Sequence, residues 1–133
     1  MTEYDEQIGK VNRTDFGVED HGILSINVAF DFGRSSQGTG GYSLDGPTKY
    51  SPFAGKYPMD RVGSAWGMEF LHRLMLAFNV GEWSDIPGRT VYVLRAKDDP
   101  FGKIMGIRPL PTEGGTEFIF DDLKVLIQET DDD

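Results

Sequence analysis

"ILSINVAFDF", residues 23–32, decides the fold. Leu24, Ile26, Val28, Phe30 and Phe32 are apolar while Ser25, Asn27 and Asp31 between them are polar, the period-two pattern of a strand with one wet face. Its apolar row needs a partner, and the largest one in the chain lies at residues 62–80. There Trp66, Phe70, Leu74 and Phe78 recur at helical spacing and Leu71 and Met75 widen the stripe. This predicts an amphipathic helix with Asp60 or Ser64 as N-cap and Gly81 at its end. Docking the stripe on the even-numbered face of residues 24–32 gives the expected architecture: an α+β fold, an antiparallel β-sheet packed by one long amphipathic helix.

The remaining elements follow outward. Residues 8–16 read as a first strand and 17–22 as a turn. After the 23–32 strand, "SSQGTGGYSLDG" at 35–46 carries Tyr42 and Leu44 on one face of a short return strand, and 46–59, with three prolines and two glycines, reads as a long surface loop. "EWSDIPG" at 82–88 connects to a strand over 90–97, "DDPFG" at 98–102 is a hairpin turn, and 103–108 returns as its partner. "PLPTEGG" at 109–115 is a second loop. Asp121 caps a short C-terminal helix through Leu123, Leu126 and Ile127, and the terminal "TDDD" is expected to fray.

Composition narrows the function. The chain has 133 residues, one domain's worth over 1–133, large enough to bury roughly two-thirds of its unfolded surface. With 22 acidic against 13 basic residues its formal charge is −9, and no Lys/Arg run offsets this, so neither DNA nor an anionic membrane is an expected partner. There is no cysteine, which excludes disulfide and thiol chemistry and fits a reducing compartment. The acidic first residues lack the order of a signal peptide, and the longest apolar stretch, 74–78, is too short to cross a bilayer. A soluble cytoplasmic protein is expected.

The glycines at 38, 40 and 41 match no general phosphate loop. A dinucleotide-binding loop leads into a helix and a P-loop ends in a Lys-Ser/Thr pair, whereas here a strand follows. Catalytic constellations are equally absent from the sequence. His21 sits in a turn and His72 on the polar side of the helix, neither spaced to a nucleophile, and "VEDH" at 18–21 cannot converge on a metal without distant help. No catalytic residue, cofactor or metal is expected. What remains is a binding inventory: Trp83, Phe101, Phe118 and Phe120 in or beside loops, and Arg34, Arg61, Arg89 and Arg108 at element ends. An aromatic face stacks on a base for about 1–3 kcal/mol and an arginine fork grips a phosphate, so together they suit a nucleotide.

In that order, "GVEDHGILSINVAFDFG", "QGTGGYSLD", "GSAWGMEFLHRLM" and "VGEWSDIPGRTVYV" resemble the phage Thoeris anti-defence family of the first type. The family pattern is an EDHG turn, a QGxGGY stretch, a helix opening A-[FYW]-G-M-E-[FY]-[IL], a W-x-D-[LI]-x-G turn, and an IG-[HN]-I return. These fall here on residues 19–22, 37–42, 65–71, 83–88 and 105–107. Thr39 stands where an aromatic is usual, Met105 breaks the usual Ile-Gly start, and "PLPTEGG" is longer than the family's late loop.

The resemblance implies binding without turnover. Such proteins form homodimers, often built into hexamers, that enclose a cyclic ADP-ribose isomer, and some also hold cyclic di- or trinucleotides; the setting is the cytoplasm of an infected bacterial host. The late loop of the family helps to close the pocket. Arg108, which ends a strand beside that loop, is therefore the first candidate to grip a pyrophosphate, with Trp83, Phe118 and Phe120 as covering rings and Arg34, Arg61 and Arg89 as further cations. Gly40, Gly41 and Tyr42 mark where backbone approaches ligand or subunit closely. Two other classes remain open: an acidic inhibitor that blocks a host protein by direct contact, and a phosphodiesterase or other nucleotide hydrolase.

Overall fold

The computed structural model describes residues 3–20, 23–47 and 61–123. Nine strands and one long helix follow one another among them. The strands are β1 (Tyr4–Asp20), β2 (Ile23–Asp31), β3 (Ser36–Gly38), β4 (Tyr42–Ser43), β5 (Asp45–Pro47), β6 (Arg61–Gly63), β7 (Thr90–Ala96), β8 (Gly106–Arg108) and β9 (Phe118–Ile119). The helix α1 (Ala65–Phe78) lies between β6 and β7. Seven strands form one antiparallel sheet in the order β3-β2-β1-β7-β8-β9, with β4 beside β3 on β2, while β5 and β6 pair separately.

Alternation in β2 works as expected. Ile26, Val28 and Phe30 are buried, Leu24 and Phe32 pack at the edge of the same core, and Phe70, Leu74, Ala77 and Phe78 of α1 meet them. Val11 of β1, Val91 and Val93 of β7, Ile107 of β8 and Phe118 of β9 add to the sheet's contribution. Burying each such side chain contributes about 1.5–3 kcal/mol.

The helix is shorter at both ends than the stripe predicts. Ser64, one of the two expected caps, accepts a hydrogen bond on Oγ from the Gly67 amide at 2.8 Å, and 61–63 pair as β6. Asp60 lies outside the described residues. At the other end the chain turns left-handed at Asn79 (φ 54°), ahead of Gly81. Asparagine tolerates that conformation, and its side chain donates to the Glu113 carbonyl at 3.0 Å, tying the helix end to the 109–117 loop. Gly67 allows α1 to close on the chain between β4 and β5: a Cβ there would stand 2.2 Å from the Leu44 carbonyl oxygen.

β1 is almost twice as long as the strand expected over 8–16, because it serves two partners in turn. Tyr4 to Lys10 pairs with β7 and Lys10 to Asp20 with β2, with irregularities after Val11 and Gly17. The first residues of the expected loop at 46–59 pair as β5; 48–60 lie outside the described residues, as do His21, Gly22 and the expected C-terminal helix beyond Leu123, which is itself buried. No helix among the described residues is long and apolar enough to cross a membrane.

Candidate functional site

Successive residues of a strand face opposite sides, so Val91, Val93 and Arg95 of β7 share the core-facing row. The third place in this apolar row holds a charge. Antiparallel pairing puts Gly9, Gln7 and Asp5 of β1 opposite these three residues, on the same face. Gly9 makes room there: a Cβ would lie 2.8 Å from the Phe32 ring, and the guanidinium of Arg95 in turn sits over that ring, 4.9 Å from its centroid.

Arg95 is only 6% exposed. Its Nη1 donates to Gln7 Oε1 at 2.6 Å, and its Nε and Nη2 both donate to Gln37 Oε1 at 3.2 and 2.5 Å. Gln37 is itself held by a bond from its Nε2 to the Gly102 carbonyl at 3.1 Å. The partners are amides, and no carboxylate among the described residues pairs with this guanidinium. Burial pushes its pKa below the usual arginine value, yet arginine keeps its proton. A guanidinium has five N–H donors, and the three bonds leave two of them without an acceptor among the described residues. Beside it runs a groove of about 570 Å³, lined by Asp5, Glu6, Gln7, Gln37, Arg95 and the 97% exposed Phe101.

Comparison with protein-family models, curated proteins and solved structures finds no match. The site therefore stands on its geometry.

Of the residues expected from the sequence, Tyr42, Phe118 and Phe120 meet in the core, while Arg108, Trp83 and Arg89 stand at separate places on the surface. Arg108 is neutralised on the far face of the sheet: its Nη1 lies 2.8 Å from Glu6 Oε2 and its Nε 2.5 Å from Glu117 Oε1. Those bonds raise its pKa. Phe118 pairs with Ile107, so its ring and the Arg108 side chain point to opposite sides of the sheet. Phe118 and Phe120 are core residues here, in a cluster with Tyr42, Trp66 and Phe70 whose ring centroids lie 4.6–6.0 Å apart. They read as loop aromatics because "PLPTEGG" precedes them, but β9 and the turn after it carry them under α1.

Trp83 opens a 3-10 turn and packs on Phe16 at 5.6 Å. With Leu71 and Met75 the pair lines an apolar groove of about 410 Å³, where β1 runs on past the start of β7. Arg89 lines a third cavity, about 230 Å³, with Glu113 and Gly114. Arg34 is exposed in the turn after β2, and the Arg61 side chain lies outside the described residues.

The glycine-rich stretch does not form a cradle of free amides. The Thr39 amide donates to the Val28 carbonyl and the Gly40 amide to Asn27 Oδ1 at 3.1 Å. Gly40 has φ +88°, which suits glycine, and Gly38 lies where a Cβ would meet Asn27 Oδ1 at 2.7 Å. What the stretch supplies to the groove is Ser35, Ser36 and Gln37. Among the described residues no group of three or more His, Asp or Glu side chains is arranged to hold a metal.

Proposed function

We propose that this protein binds and sequesters a cyclic ADP-ribose-type immune signalling nucleotide without degrading it, blocking an anti-phage defence in the cytoplasm of an infected bacterial host. One observation carries the reading: Arg95, a buried cation with amide partners and two unused donors, at the edge of a groove of nucleotide size. A charge withdrawn from water and left without a counter-ion is costly, and an anionic ligand supplies what it lacks. The resemblance to the Thoeris anti-defence family supports the same reading, because Gln37 of the "QGTGGY" block is one of the two residues that hold Arg95.

Magnitudes bear on the assembly. Nanomolar affinity corresponds to about −12 kcal/mol. One charge-assisted contact and one stacked base contribute about 1.5–3 and 1–3 kcal/mol, so further contacts are needed. The proposal accordingly includes a homodimer that builds to a hexamer, with parts of the ligand site supplied by neighbouring subunits. Met68 and Leu76 on α1, and Phe16 beside Trp83, are exposed apolar surface of the kind that subunit contacts cover.

Incubation with cyclic ADP-ribose isomers, followed by denaturation and analysis of the nucleotide, tests the reading, with light scattering run alongside. Depletion from solution and intact release from an oligomer are expected. Conversion of the nucleotide would make the protein a hydrolase, and no depletion would favour an acidic inhibitor acting by direct contact with a host protein.

A further inference from the structure

We infer that the open edge of β1 past Val11 is a self-pairing surface, on which a second copy of this chain lays its own β1 as an antiparallel strand, with Phe16 on the two-fold axis. The inference rests on the oligomer included in the reading above and names the contact that builds it.

β1 has β2 along one side as far as Asp20, but β7 along the other only from Tyr4 to Lys10. The Arg89 carbonyl and the Gly88 amide still meet Val11, and beyond it no strand among the described residues pairs with that side. Which backbone groups this leaves open follows from β2. The Val28 amide and carbonyl turn to Thr39 and the Leu24 carbonyl to the Leu44 amide, so the even residues of β2 face away from β1 while Ser25, Asn27 and Ala29 face it. Their partners Gly17, Asp15 and Arg13 therefore hold the ladder between the two strands. Thr14 and Phe16, which lie between those partners, turn amide and carbonyl outward to the edge that β7 has left. An open row of this kind is a template for another strand.

The floor beside the edge is apolar. Thr14 and Phe16 pair with Val28 and Ile26, so their side chains lie on the core face, and with Leu71, Met75 and Trp83 they line the groove of about 410 Å³. A strand added at the edge sends every second side chain toward that groove.

Self-complementarity selects the occupant. Bonding needs edge-facing residues opposite one another, which leaves few antiparallel registers. In a register centred on Thr14, Val18 of each copy would run into Lys10 of the other, whose edge β7 already fills. In one centred on Asp15, the two carboxylates would oppose each other. Centred on Phe16, the stretch that β7 leaves open, residues 12–20, covers its own copy from end to end. Asp15 then falls opposite Gly17, the exposed Val18 opposite Thr14, and the two half-exposed Phe16 rings meet beside Trp83.

Light scattering and amide-resolved hydrogen exchange on the full chain test the inference. A dimer or larger species is expected, with the Thr14 and Phe16 amides protected as those of Asp15 and Gly17 are. Thr14→Pro removes an edge-facing amide that gives no bond to β2, and Phe16→Lys sets a charge on the axis. Each should lower the scattering mass about twofold and speed exchange at the residue 16 amide roughly tenfold or more, with a cooperative thermal transition retained. An oligomer whose Thr14 and Phe16 amides exchange freely in the wild type, or whose mass survives in both folded variants, overturns the edge assignment and leaves the nucleotide reading, tested by depletion, untouched. A monomeric wild type also overturns it and removes the oligomer from that reading: free exchange at the two amides would then leave the edge to another protein, and protection would put another segment of this chain on it.

Discussion

Asp5 and Arg95 face each other across β1 and β7 without forming an ion pair. The carboxylate turns instead to the Asp98 amide at the hairpin, where Asp98 itself is left-handed (φ 64°), and the guanidinium turns to Gln7 and Gln37. Directly opposed charges on one sheet face would ordinarily attract. Here turn geometry holds them apart, and the positive charge is kept for another partner.

Gln7→Glu should supply the missing counter-charge. Gln7 gives Arg95 an oxygen acceptor at 2.6 Å, so a carboxylate fits the same place. Affinity for cyclic ADP-ribose should fall about tenfold or more by calorimetry, in line with a charge-assisted contact of roughly 1.5–3 kcal/mol. The thermal midpoint of the free protein should stay level or rise.

Phe118 and Arg108, both readable from the sequence as ligand residues, should separate by stability. Phe118→Ala removes a buried ring from the aromatic cluster and should cost about 3–5 kcal/mol in denaturant unfolding. Arg108→Ala breaks two pairs at half-exposed side chains, each contributing about 0–1 kcal/mol, and should shift the midpoint little.

Gly67→Ala sets two effects against each other. Alanine gains about 1 kcal/mol in helix propensity. Its Cβ would stand 2.2 Å from the Leu44 carbonyl oxygen and 2.5 Å from the Leu44 Cα, and backbone cannot step aside as a side chain can. Overpacking of this kind costs about 1–3 kcal/mol, so net destabilisation is expected in urea unfolding.

Tyr42 gives the fold an alkaline limit. Its pKa is raised above 10.0 by burial first and then by Asp121. The unfolded chain therefore releases this proton at lower pH than the native state does, and stability is lost as pH rises from about 10. Tyr42→Phe should lose less of its thermal midpoint over that window than the wild type.

The β2 alternation and the α1 stripe made the helix-on-sheet fold legible, since each row met an apolar partner. The first half of β1 was hidden for a physical reason. Its inward row is Asp5, Gln7 and Gly9, covered by Arg95 and Phe32, so no apolar period marks it. β9, two residues long, cannot display a period at all. Arg95 did leave a signal: odd positions of the expected 90–97 strand read Val, Val, Arg, a charge where the core row continues. Convergence of Gln7 and Gln37 on it comes from chain segments far apart in sequence, which periodicity does not connect.

The change of partner along β1 gives the molecule an order of assembly. Its second half closes with β2 as a local hairpin, a loop of low entropic cost, whereas its first half meets β7 from Tyr4↔Ala96 to Lys10↔Thr90, across about eighty to ninety residues of chain. At Lys10, the residue paired to both neighbours, the two halves of the sheet are joined. Arg95 arrives with β7, so the groove comes into being only when the slow, long-range closure is complete.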